Sequence, residues 1–128
     1  MSVELEVYVA TSGPYRMAFA ADQIESTRPC PAFAGHEGEQ PGVLGTRDGL
    51  RVVHPGWFWG DAEVKQQPQY LLVVRSGMCA LAVDTCQLQR LLIDPPPPVL
   101  AAGGMVFGLA NTTGGLMPVF DLACVPLA

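Results

Sequence analysis

The two halves of the chain carry the same ordered set of short motifs. Ser12-Gly13 and the segment Ala18–Asp22 come first, and Ser76-Gly77 and the segment Ala80–Asp84 follow in the same order. Later members of the set are also matched: Gly42, Thr46, Gly49, Leu50 and Val53 correspond to Gly108, Thr112, Gly115, Leu116 and Val119. In a chain of 128 residues, such a duplication predicts two similar units that share one core and present surfaces rather than an active site.

Alternating hydrophobicity predicts strands at the start of the first half. Apolar residues alternate with polar or small ones over 3–9, which is the period of a strand with one buried face. Ser12-Gly13-Pro14 breaks this pattern as a hairpin turn does. A second alternating strand is predicted over 15–21, and 23–28 is expected to extend it past a bend.

The second half begins with a different pattern. Residues 69–75 are almost continuously apolar, which predicts a strand covered on both faces. The segment 78–84 is expected to pair with it across the Ser-Gly turn. Leu88, Leu91 and Leu92 would share one face of a helical turn, but the matching segment of the first half favours a strand there.

Turn signals complete the predicted architecture. Thr46–Gly49 ends in Asp-Gly, a strong hairpin signal, and joins the short strands predicted at 42–44 and 50–54. The matching strands of the second half are predicted at 105–110 and 116–120. Segments rich in proline, glycine or polar residues are expected to be loops and connectors: 29–41, 61–68 and 95–98. About ten short strands without a long amphipathic helix predict an all-β fold of two small barrels packed together.

Composition excludes several classes of function. Hydrophobic residues make up 49% of the chain, charged residues 15%, and the formal net charge is −5, so nucleic acid is not an expected partner. No uninterrupted apolar run approaches the ~20 residues of a membrane span, and the N-terminus shows no export signal. We therefore expect a cytoplasmic protein without direct membrane insertion. Its four cysteines, Cys30, Cys79, Cys86 and Cys124, are expected to be reduced.

Residues able to do chemistry are few. Neither histidine, His36 or His54, belongs to a spacing typical of metal ligands, so no metal and no cofactor is expected. Cys30 precedes His36 closely but stands between two prolines, without an orienting partner for a thiolate–imidazole pair. Asp22 and Asp84, equivalent in the repeat, are interpreted as strand-end carboxylates that accept hydrogen bonds from the amides of the following turn. We therefore expect no catalytic residue.

Three segments resemble one known family. Tyr70–Asp84 consists of an apolar strand, a glycine turn and a strand that ends in Val-Asp. Gly108–Leu122 starts a strand at glycine, turns, and closes with Pro-Val-Phe-Asp-Leu. Gly42–Arg47 reads Gly-Val-Leu-Gly-Thr-Arg, which is similar to the segment Gly-Val-x-Asn-Leu-Arg-Gly of that family. In their order and spacing, across nearly the whole chain, these motifs resemble the CheW-like domain.

The resemblance implies both a fold and a role. The fold would be all-β, with two intertwined five-stranded SH3-like barrels in one CheW-like domain over 1–128. Its subdomains would span roughly 10–65 and 66–128, with possible strand exchange at the N-terminus. CheW-like proteins are cytoplasmic adaptors without catalytic activity that join the regulatory domain of a CheA-type histidine kinase to the cytoplasmic tip of chemoreceptors. The motif places the interface arginine at Arg47, and Val43 and Leu44 beside it are further candidates for protein binding.

The first half departs from the family pattern. Arg-Gly becomes Arg47-Asp48-Gly49, and the Pro-Val-x-Asp-Leu that should follow is replaced over 52–56, whereas the second half keeps it at 118–122. These departures predict a divergent adaptor of a chemosensory pathway, with pili or another process as its output.

Two other functions remain open at this point. One is a small-ligand-binding β-barrel whose pocket is lined by the aromatic residues Trp57, Trp59 and Phe107. The other is a hydrolase that uses Cys30 and His36.

Overall fold

The computed structural model describes residues 2–32, 43–47, 49–59, 67–75, 78–98 and 105–122. Ten strands lie within this part of the chain, with short 3-10 helices at Ala21–Gln23 and Pro55–Trp59. The strands are β1 Val3–Ser12, β2 Tyr15–Ala20, β3 Ile24–Pro29, β4 Val43–Arg47, β5 Leu50–Val53, β6 Tyr70–Val74, β7 Cys79–Val83, β8 Thr85–Asp94, β9 Val106–Thr112 and β10 Gly115–Phe120.

The local sequence patterns produce the predicted strands. Strands β1 and β2 pair in antiparallel register from Val7–Ala20 to Ser12–Tyr15, and the turn between them has Gly13 at φ 58°, a conformation that glycine adopts without steric cost. The continuous apolar run becomes β6, whose residues 71–74 are all buried. The leucine-containing segment near Leu88 is a strand, β8, as the repeat favoured.

Each sheet combines strands from both halves of the repeat. One sheet closes into a barrel in the order β1-β2-β10-β9-β8, and the other has the order β3-β6-β7-β5-β4. We call them the closed barrel and the second sheet. The closed barrel contains the first hairpin of the first half, β1-β2, and the three later strands of the second half, β8, β9 and β10. The second sheet contains the first hairpin of the second half, β6-β7, and the three later strands of the first half, β3, β4 and β5. The contact between halves includes two parallel pairs, β2 with β10 and β5 with β7. The all-β, intertwined architecture is thus confirmed.

The exchange of strands is visible along the chain. Strand β3 leaves the barrel of β2 and pairs with β6, while β8 leaves the sheet of β7 and pairs with β1 from Val3–Ile93 to Thr11–Thr85. Each sheet therefore contains strands from both predicted subdomains, 10–65 and 66–128, and neither sheet corresponds to one subdomain alone. That division stays a prediction about the repeat in the sequence.

Three apolar clusters follow from this arrangement. The interior of the closed barrel is filled by Val7, Val9, Ala18, Ile93, Ala110, Met117 and Val119. The inner face of the second sheet is covered by Leu44, Leu50, Val52, Leu71, Val73, Ala80 and Ala82. Between the two sheets lies a third cluster, the inter-sheet core: Ala10, Met17, Phe19, Ile24, Val53, Leu72, Val74, Cys79, Leu81, Val83, Phe120 and Leu122. Alternate residues of β6 and β7 serve two clusters, which explains why these strands are apolar throughout.

The chain passes from one sheet to the other between β2 and β3 and between β7 and β8, and we call these two places the crossings. Hydrogen bonds stabilise both of them. The Asp84 amide donates to the Thr11 carbonyl at 2.7 Å, and the Gly13 amide donates to the Asp84 carboxylate at 2.8 Å. At the equivalent crossing, the Arg75 amide donates to the Gln23 carbonyl and its guanidinium Nε donates to the Asp22 carbonyl. The expectation that Asp84 accepts from the turn that follows it was wrong, because strand exchange brings the β1–β2 turn to its carboxylate instead.

Candidate protein-binding site

The β4–β5 hairpin carries the three predicted binding residues. Arg47 is the last residue of β4 and pairs in register with Leu50 across the turn. A bulge interrupts the ladder between Val43 and Gly45, and such bulges shift the side chains that follow from one face to the other. Gly49 closes the turn at φ 79°, which glycine tolerates.

The three candidates have different surroundings. Leu44 is 3% exposed and packs with Leu50 and Val52 on the inner face of the second sheet, so its side chain anchors the hairpin. Val43 is half-buried, and the side chain of Arg47 lies outside the described part of the chain. The surface that this hairpin can offer therefore includes Val43 and the turn, and the binding role of all three residues stays a prediction.

Aromatic rings line the junction of the closed barrel and the second sheet. Tyr15 of β2 stacks on Trp59 with ring centroids 4.7 Å apart, and Trp59 meets Phe120 of β10 edge to face at 5.5 Å. Phe120 in turn lies 6.2 Å from Phe19. We call these four residues the aromatic seam. Trp59 keeps 39% of its surface exposed, so the seam continues the inter-sheet core to the protein surface.

The aromatic seam bears on the ligand-pocket alternative. Trp59 belongs to the seam, whereas Phe107 is on β9 and is 46% exposed, and the side chain of Trp57 lies outside the described residues. The interior of the closed barrel is filled by aliphatic side chains. Trp59 and Phe107 therefore do not face a cavity inside this barrel. Sequence reasoning missed Tyr15 and Phe120, because only the fold brings them beside Trp59.

A buried polar pair also joins the two sheets. Nδ1 of His54 lies 3.2 Å from Oγ of Ser12, and the two residues are 6% and 3% exposed. His54 was interpreted as a strand-end residue bonded to backbone, but this partner is a side chain from the other sheet. Because buried polar groups need partners, the pair fixes how the β1–β2 turn sits against the end of β5.

The described cysteines are buried or half-buried within the fold. Among the described residues, Cys30, Cys79 and Cys86 are thiols that form no disulfide. Burial raises the pKa of Cys79, with a smaller opposing effect from the Arg51 guanidinium, and burial also raises the pKa of Cys86. Both groups are therefore held in the unreactive thiol form. Cys30 accepts a hydrogen bond from the Gln67 side chain at 3.7 Å.

The hydrolase alternative involves a residue outside the described part of the chain. His36, the proposed partner of Cys30, lies outside the described residues, as does Cys124. Within the described ranges, no group of three or more His, Cys, Asp or Glu side chains is arranged to hold a metal ion. Across the same ranges, no helix is long and apolar enough to cross a membrane.

Comparisons with known proteins agree with the described geometry at the level of fold. No family model and no curated protein matches the chain. Among solved structures, the scaffolding protein TtCheW from Thermoanaerobacter tengcongensis superposes with a TM-score of 0.70. The match covers 94% of this chain and 86% of the other, at 15% sequence identity. The resemblance found in the sequence is thus confirmed as a CheW-like fold, and identity this low shows the fold alone.

Proposed function

From the CheW-like fold, we propose that this protein is a non-enzymatic adaptor of a bacterial chemosensory signalling complex. It couples a CheA-type histidine kinase to chemoreceptors in the cytoplasm. The observation that carries the proposal is the pair of interleaved five-stranded sheets, which superposes over 94% of the chain on a protein described as a scaffolding protein. An adaptor needs two separated surfaces on one rigid body, and the shared inter-sheet core supplies that rigidity.

The kinase contact is assigned to the β4–β5 hairpin. Leu44 and Leu50 anchor both strands of the hairpin in the inner face of the second sheet, so the strand backbone at Arg47 and Leu50 is fixed before a partner arrives. Arg47 stands at the end of β4, and a guanidinium is suited to carboxylates or carbonyls of a partner because it offers several donors in a fixed plane. Preorganisation of this kind reduces the entropy cost of binding.

The receptor contact is assigned to the aromatic seam. Trp59 is partly exposed and is held on one side by Tyr15 and on another by Phe120. Large aromatic residues that are fixed by neighbours commonly dominate binding energy at protein interfaces. The helical tip of a chemoreceptor can bury apolar side chains against such a surface. The two proposed contacts use different residues, so kinase and receptor can bind together.

The kinase contact is tested by isothermal titration calorimetry with the regulatory domain of a CheA-type kinase from the same host. Arg47→Ala is expected to weaken binding about tenfold, which corresponds to roughly 1.4 kcal/mol. Arg28→Ala is the matched control, because Arg28 is an exposed arginine on β3 of the same sheet. Equal affinity of the Arg47 variant and the unmodified protein would remove Arg47 from the interface. Failure of every kinase of the host to bind would refute the adaptor role.

A further inference from the structure

Five apolar residues occupy outward-facing positions of β8, β9 and β10 in the closed barrel. Leu92 of β8 is 63% exposed, Leu116 of β10 is 68% exposed and Phe107 of β9 is 46% exposed. Leu109 and Pro118, both half-buried, pair in register between β9 and β10. We call these five residues the outer apolar patch. Single exposed apolar residues are ordinary, but five on three neighbouring strands, with Asn111 and Asp94 among them, indicate a docking surface.

The barrel does not need these residues for its own core. Residues that alternate with them along the strands, such as Ile93, Ala110 and Met117, already fill the barrel interior. The β2 and β10 side of the barrel contributes Phe19 and Phe120 to the inter-sheet core. The patch therefore belongs to a part of the barrel surface that neither the interior nor the second sheet covers.

Acidic groups border the patch on one side. Glu4 of β1 lies opposite Leu92 in the ladder, and Asp94 lies opposite Leu109. Glu6, also exposed, continues the acidic row along β1. Arg90 of β8 pairs with the Glu4 carboxylate at 3.5 Å, so these three carboxylates and one guanidinium leave a net charge of −2 at the patch. With the chain at a formal net charge of −5, two such faces repel each other, and a basic partner is favoured.

The dimensions of the patch fit a helix. Leu92 and Leu116 are on strands separated by β9, so they lie about 10 Å apart across two strand spacings. Residues i and i+7 of an α-helix are about 10.5 Å apart along its axis and share one face. Apolar residues at i and i+7 of a helix laid across the strands can contact Leu92 and Leu116 on either side of Asn111, and one at i+4 can contact Leu109 in the next row. Covering an exposed sheet face with a helix is also the common layered solution in protein domains.

We propose that the outer apolar patch binds a basic amphipathic helix of a partner protein, with its Leu-like side chains on the patch and its Lys or Arg side chains facing Glu4, Glu6 and Asp94. The surface is distinct from both contacts proposed above, because Arg47 is on the second sheet and Trp59 is at the junction of the sheets. It provides the adaptor with a third attachment point.

The proposal is tested on the ¹⁵N-labelled full chain with an 18-residue peptide that presents Leu on one helical face and Lys on the other. We expect saturable amide shift changes on β8, β9 and β10 and at Glu4 and Glu6 of β1. Binding should weaken at least tenfold in Leu92→Ser/Leu116→Ser and about threefold or more in Asp94→Asn. Leu88→Ser is the matched control, because Leu88 is an exposed leucine of β8 that lies four residues from Leu92 and further from the Ile93–Asp94 pairing with β9.

Specific outcomes overturn the proposal. A Leu/Glu peptide with the same apolar pattern should not bind, and equal binding would refute the charge argument. Shift changes confined to strands other than β1, β8, β9 and β10, or absence of binding by the Leu/Lys peptide, would refute the site. If sedimentation shows a dimer that Leu92→Ser/Leu116→Ser dissociates, a second copy of the chain is the occupant instead. Kinase binding, measured on the same double variant, should be unchanged, which separates this test from that of the adaptor role.

Discussion

Leu81 tests whether the two interleaved sheets form one cooperative body. Its side chain is 0% exposed and belongs to the inter-sheet core. Within the second sheet it lies between Leu72 and Val53 in register, and side chains of the closed barrel such as Phe19 belong to the same cluster. Neither neighbouring strand can move inward to fill a cavity without disturbing a ladder, so little relaxation is expected after truncation.

The expected cost of Leu81→Ala is therefore near the upper part of the range for buried leucines, roughly 4 kcal/mol. With a urea dependence of about 2 kcal/mol per molar for a domain of this size, the midpoint of unfolding should fall by about 2 M. Leu88→Ala, at a leucine that is 48% exposed on β8, is the matched control and should change the midpoint by about a quarter of that or less.

Equilibrium urea unfolding followed by far-UV circular dichroism and by tryptophan fluorescence measures both the cost and the cooperativity. Fluorescence reports the aromatic seam, whereas circular dichroism reports all strands. The two signals should give one coincident transition in the unmodified chain and in the variant. A cost below about 1 kcal/mol, or separate transitions for the two signals, would refute the argument that both sheets depend on this core.

Three further predictions concern the crossings, the barrel wall and the thiols. Asp84→Ala should lower the free energy of unfolding, measured by urea denaturation, by about 1–2 kcal/mol because the Gly13 amide loses its acceptor. Asp22→Ala should lower it by less, since Asp22 contributes to its crossing through its backbone carbonyl. Equal losses in the two variants would contradict the assignment. Gly108→Ala should destabilise by about 1–3 kcal/mol, because a Cβ there would lie 2.5 Å from the Asp94 carbonyl oxygen; a neutral thermal melt would contradict the close β8–β9 approach. Burial raises the pKa of the Cys79 thiol above its ordinary 9.0, so the unfolded chain releases this proton first and stability should fall as pH rises past that value. Cys79→Ala should flatten the decline in denaturation measured between pH 8 and 11, and an unchanged slope would contradict the pKa shift.

The strands could be predicted from sequence because their signals are local. Alternation defines β1 and β2, the continuous apolar run defines β6, and the match to the first half favours a strand over a helix near Leu88. These patterns are set by which faces are buried, and burial on one or two faces leaves a periodicity that short segments record.

The pairing of strands and the surroundings of the candidate residues could not be predicted in the same way. Nothing local to β8 distinguishes pairing with β1 from pairing with its neighbour β7, and the partner of Asp84 follows from that choice. Leu44 is turned inward beside a bulge, which resets the alternation that would otherwise assign its face. Tyr15 and Phe120 meet Trp59 only after the halves have interleaved, so the aromatic seam is a property of the fold.

The central claim is that this protein joins two signalling partners at once. Sedimentation velocity of the chain mixed with the regulatory domain of a CheA-type kinase and a soluble fragment of a chemoreceptor tip tests it most directly. The account predicts a ternary complex larger than either binary one; Arg47→Ala should shift its population towards the receptor complex and Trp59→Ala towards the kinase complex. Mutual exclusion of the two partners, or absence of binding to both, would contradict it.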